Sequence, residues 1–137
     1  MKAKIATLAD YANVTADQKL NILGIFNVIN AAQAPVVHRQ LQLVLSFSPD
    51  PWDSADAIPF EVQLVDEDGK QVLSFKGQIN QARAPSGEQP TTNCILGLND
   101  VRFDKFGHYE FKVLANDEAL ASIPLLVQQL PMPQSPN

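Results

Sequence analysis

Tyr109-Glu110-Phe111-Lys112-Val113-Leu114-Ala115-Asn116-Asp117, running on through Ala121-Ser122-Ile123-Pro124-Leu125-Leu126-Val127, decides the fold class. Tyr109, Phe111, Val113 and Ala115 alternate with the polar His108, Glu110 and Lys112, and Ala121, Ile123, Leu125 and Val127 repeat the pattern. Successive side chains of an extended chain point to opposite faces, so this spacing sets one face on a core and the other in water. Asn116-Asp117 lies between the two runs, and both residues tolerate the left-handed conformation that a tight turn requires. The stretch reads as an antiparallel hairpin.

The same alternation recurs upstream. Leu41, Leu43, Leu45 and Phe47 oppose Gln40, Gln42 and Ser46; Phe60, Val62 and Leu64 oppose Pro59, Glu61 and Gln63; Leu73, Phe75 and Ile79 oppose Ser74, Lys76 and Gln78. Asp68-Gly69 between the last two runs is a strong hairpin signal. Thr15-Ala16-Asp17-Gln18 turns the first run into the second. Strands are expected at about 3–11, 19–29, 36–48, 59–66, 70–80, 92–101, 107–115 and 119–128, with long connections at 49–58 and 81–91. Ile5, Leu8, Ala9 and Ala12 also fit a helical spacing, but pairing through the Asp17 turn favours a strand. The expectation is all-β: a two-layer antiparallel β-sandwich, immunoglobulin-like or jelly-roll-like, of about eight strands. It spans residues 1–129, and 130–137 form a Pro-rich mobile tail.

The second run departs from the rest. Leu20, Ile22, Phe26 and Val28 are apolar on one face, and Leu23, Ile25 and Ile29 on the other. That pattern predicts a central strand covered on both sides, or one under an oligomer interface. Gly24 in its middle predicts a bulge or a close backbone approach. Pro59 and Pro124 cannot donate to a ladder, which predicts edge strands or irregularities there.

Composition bounds the function. The 137 residues suit one domain, a length that buries roughly two-thirds of the unfolded chain's surface without staples. Ten basic residues against fifteen acidic ones give a net charge of -5, and the basic residues are scattered along the chain. Phosphate binding needs a basic patch, so nucleic acid and anionic membrane surfaces are not expected partners. The opening apolar stretch ends at Asp10, too short for a signal peptide, and nowhere is there an apolar run of about 18 residues. Cys94 is the only cysteine, so no internal disulfide forms. The expected compartment is the cytoplasm.

Groups that might do chemistry are few. Cys94, in Asn93-Cys94-Ile95-Leu96-Gly97-Leu98, reads as a small core hydrophobe; a nucleophile would need a nearby base and a lowered thiol pKa. His38 and His108 open strands and form no local ligand pair, so both read as surface residues. No Ser stands in a Gly-x-Ser-x-Gly elbow. Pro49-Asp50-Pro51-Trp52-Asp53-Ser54-Ala55-Asp56 holds the candidate contact residues: Asp50, Asp53 and Asp56 could supply oxygens to a calcium ion but lack EF-hand spacing and read first as solvated loop acids, and Trp52 is either a ligand-stacking anchor or a cap on one end of the sandwich. Asp66, Asp68 and Asp104 are explained by turns. Pro131-Met132-Pro133-Gln134 reads as a disordered end despite the P-x-x-P spacing of the tail. No catalytic residue, metal site or cofactor is expected.

Lys4-Ile5-Ala6-Thr7-Leu8-Ala9-Asp10-Tyr11-Ala12-Asn13, followed by Lys19-Leu20-Asn21-Ile22-Leu23-Gly24-Ile25-Phe26, resembles a family of small bacterial hypothetical proteins. The resemblance extends through Asp68-Gly69 to Gly107-His108-Tyr109-Glu110-Phe111 and Ile123-Pro124-Leu125, covering most of residues 1–128. It implies a small β-sandwich in a bacterial cytoplasm and supplies no functional residues. Separately, the closing Gly-x-Tyr-x-Phe-x-Val hairpin is similar to those ending many immunoglobulin-like domains. The leading functional expectation is a non-enzymatic interaction module with a protein partner or a second copy of itself. The competing one is a carbohydrate or calcium binder built on the Trp52 loop.

Overall fold

The computed structural model describes residues 1–48, 57–80 and 91–131. They form an all-β, two-sheet sandwich with strands β1 (Lys2–Val14), β2 (Leu20–Phe26), β3 (Val28–Ala31), β4 (Val36–Ser48), β5 (Ala57–Asp66), β6 (Gln71–Asn80), β7 (Thr92–Phe103), β8 (Gly107–Ala115) and β9 (Glu118–Gln129). One sheet has the order β2-β1-β4-β7 and the other β3-β9-β8-β5-β6. Residues 5–12 are strand, as the pairing argument required.

Alternation places the core. Leu41, Leu43, Leu45 and Phe47 of β4 face Val62, Leu64, Phe111, Val113 and Leu125 of the opposite sheet in one buried cluster. Phe103 and Tyr109 meet edge to face at 4.9 Å in the same cluster. Each fully buried Leu or Phe contributes about 1.5–3 kcal/mol, so the few inward positions of β4 alone outweigh any surface contact.

All three turns form as their chemistry dictates. Ala115 pairs with Glu118 across Asn116 and Asp117, whose φ values are 51° and 62°, the left-handed pair of a type I′ turn. Between β5 and β6, the Asp66 Oδ1 accepts from the Asp68 and Lys70 amides, and Gly69 donates to the Asp66 carbonyl at 3.0 Å. Gln18 (φ 67°) closes the first turn by donating to the Thr15 carbonyl.

Three expectations are corrected. The run 19–29 is two strands belonging to different sheets. Phe26 pairs with Leu8 in the first sheet, the Asn27 carbonyl already accepts from Leu126, and Val28 pairs with Leu126 in the second. The run is apolar on both faces because it serves two sheets, and β2 is an edge strand rather than a central one. Second, the sandwich is not wholly antiparallel, since β3 runs parallel to β9. Third, β5 and β9 are interior strands despite their prolines. Pro59 pairs with Gln78, but the β5–β8 register starts only at Phe60; Pro124 pairs with Glu110, but β3 reaches β9 only from Leu126. Each proline sits at the margin of one of its strand's two ladders, Pro59 accepting there from the Asn116 amide through its carbonyl, so the missing N–H removes no bond from the paired register.

Candidate functional site

Asp50, Trp52, Asp53 and Asp56 lie outside the described residues, as does the tail from Met132 onward. Among the described residues, no group of three or more His, Cys, Asp or Glu side chains could hold a metal ion.

Cys94 sits on β7 opposite Leu45 and packs, half-buried, against the main core. Burial pushes its thiol pKa up, away from the thiolate that a nucleophile needs. His38 pairs with Val101, seven residues further along β7 from Cys94. At about 3.3 Å per residue that is roughly 23 Å, far beyond hydrogen-bond reach. The His38 ring, partly exposed, packs against Phe26 with centroids 5.7 Å apart. His108 is exposed on β8, in the other sheet. The structure does not bring the three together.

Asp66, Asp68 and Lys105 do meet, at one end of the sandwich. Lys105 Nζ lies 2.8 Å from Asp68 Oδ2 and 3.8 Å from Asp66 Oδ2, tying the β7–β8 connection to the β5–β6 turn. The Asp66 side chain is 7% exposed. Burial alone would raise its pKa, but the amides of Lys70 and Asp68 and the Lys105 ammonium outweigh burial and hold it below 3.8. Tyr109, whose hydroxyl donates to the Lys105 carbonyl at 2.7 Å, anchors the same corner. These contacts satisfy one another and account for the acids as turn residues.

The feature that folding leaves unexplained is the β1–β2 hairpin. It bends where Gly24 takes a left-handed conformation (φ 69°) beside Asp10, between the pairs Ala9–Ile25 and Tyr11–Leu23. A Cβ on Gly24 would stand 2.5 Å from Asp10 Oδ2, so another residue there must displace the Asp10 carboxylate as well as adopt a left-handed backbone. The crowding comes from the Asp10 side chain, whereas the expectation was a bulge or a close backbone approach, and the β1–β2 register runs past Gly24 unshifted. Beyond the bend, Ala12, Leu20 and Ile22 join Val44 and Ile95 in a second apolar cluster. Val44 and Ile95 alternate with the core residues Leu43, Leu45, Cys94 and Leu96, so they point out of the sandwich. The hairpin tip thus folds across the outer face of the first sheet, and the Ala12 amide donates to the Gln42 side-chain oxygen.

That leaves the hairpin's other face in solvent. Leu23 is 62% exposed and its direct cross-strand partner Tyr11 47%, while Ile25, paired with the buried Ala9, is 65% exposed. No Asp, Glu, Lys or Arg occurs between Lys19 and Arg39. The outer face of the second sheet is different, with Glu61, Gln63, Lys76, Gln78, Glu110 and Lys112 on its alternate positions. Large apolar side chains grouped on one surface, here with Asp10 as the charged neighbour, mark an interaction site more often than scattered ones do. The sequence signal was the doubly apolar run with a glycine inside it; what it could not reveal was which of its side chains would stay uncovered.

The chain belongs to a family of unknown function, DUF6941, whose family model matches residues 4–128. No curated protein matches the chain. Among the described residues, no helix is long and apolar enough to cross a membrane.

Proposed function

We propose that this member of the DUF6941 family is a non-enzymatic, immunoglobulin-like interaction module that presents its β1–β2 hairpin to a protein partner. The single observation behind this reading is the exposure of Tyr11, Leu23 and Ile25 on an edge hairpin whose second strand carries no charged residue. A rigid strand-borne tyrosine, a residue type enriched at the centres of protein interfaces, with two large aliphatic neighbours offers apolar contact at little entropic cost. The separation of Cys94 from His38, and the raised thiol pKa, argue for binding rather than catalysis.

The immunoglobulin-like part of the proposal is supported by connectivity. The pair β4-β7 lies in one sheet and β9-β8-β5-β6 in the other, so the chain crosses between sheets after β4, β6 and β7 and forms hairpins at β5–β6 and β8–β9. The Tyr109 hydroxyl, near the start of β8, bonds back to the Lys105 carbonyl, as in the tyrosine corner of immunoglobulin domains. The family resemblance and a lone cysteine, which suits a reducing compartment, support a bacterial cytoplasmic setting.

The test is affinity capture from an extract of the native host, comparing the wild type with Leu23→Lys/Ile25→Lys. A matched control, Gln63→Lys/Ser74→Lys, adds the same charge to a cross-strand pair on the outer face of the second sheet. Circular dichroism first establishes that all three chains are folded. The reading expects proteins retained by the wild type and the control to be lost from the hairpin variant. Identical retained sets, or no protein retained by any of the three, would overturn it.

A further inference from the structure

We draw no further inference here: the strongest candidate, the open groove on the outer face of the second sheet lined by Gln63, Lys112, Leu114 and Leu120, is an unpartnered and only partly apolar surface, and nothing in the structure shows what covers it.

Discussion

At the scale of single residues, the bend at Gly24 and the carboxylate of Asp66 make the most specific claims. Gly24→Ala puts a methyl group into Asp10 and forces an L-residue to φ 69°. The left-handed conformation alone costs about 1–2 kcal/mol, and the clash adds to it. Urea denaturation should therefore show a loss of at least that size. In an Asp10→Ala background the clash is gone and only the conformational part remains, so the two substitutions should be non-additive. Strict additivity would show that Asp10 does not crowd Gly24. Asp66 is tested by pH. Its folded-state pKa is depressed, so the stability it contributes is present above the unfolded value near 3.8 and disappears as pH falls through the lower folded value. Asp66→Asn keeps an oxygen for the Asp68 and Lys70 amides but removes the titrating group and the attraction to Lys105. The variant should be less stable than wild type at pH 7, and the gap should narrow below pH 4. Asp17, also held low through Thr15 and Lys19, leaves both proteins a shared acid loss. An equal gap at pH 7 and pH 3 would remove Asp66 from the account.

At the scale of elements, turn chemistry was the most legible part of the sequence because its causes are local. Asp68-Gly69, Asn116-Asp117 and Thr15–Gln18 each needed only their own residues to predict a reversal, and each forms one. The fate of residues 19–29 was not legible, because it depends on what lies across the sandwich. Their apolar pattern says that both faces are sticky without saying that the chain changes sheets at Asn27, or that Leu23 and Ile25 face water while Leu20 and Ile22 cover Val44. Likewise, proline in β5 and β9 pointed to edges or irregularities, whereas its requirement is met by where neighbouring ladders begin. The β8–β9 hairpin offers a direct check on the local part of this logic. In a type I′ turn both central residues need positive φ, and Asp117 adopts 62° with a Cβ. Asp117→Gly relieves that strain and should stabilise by roughly 0.5–1 kcal/mol, after allowing for the extra backbone freedom that glycine loses on folding. A thermal melt should rise by a few degrees; an unchanged or lowered midpoint would mean that the turn is not under strain.

At the scale of the molecule, the two-layer architecture was readable because it requires only that many short segments each hide one face. The loop that sequence reasoning singled out, Asp50 to Asp56 with Trp52, falls outside the described residues, so the candidate surface rests on the hairpin instead. The architecture itself implies how the domain unfolds. Among the described residues, neither sheet has a covered inner face without the other: Leu41, Leu43, Leu45 and Phe47 are covered by Val62, Leu64, Phe111, Val113 and their neighbours in the same cluster. The sheets should therefore melt together. Tyr11 on β1 and Tyr109 on β8 place one reporter in each sheet. With fluorotyrosine incorporated, their 19F resonances should lose native intensity at one urea midpoint. Leu43→Ala opens a cavity at a fully buried position of β4, in the sheet that Tyr109 does not belong to. It should cost about 2–5 kcal/mol and move both midpoints equally. A Tyr109 signal that keeps its wild-type midpoint while Tyr11 shifts would mean that the sheets fold as separate units, and the shared core would then contribute far less than its burial implies.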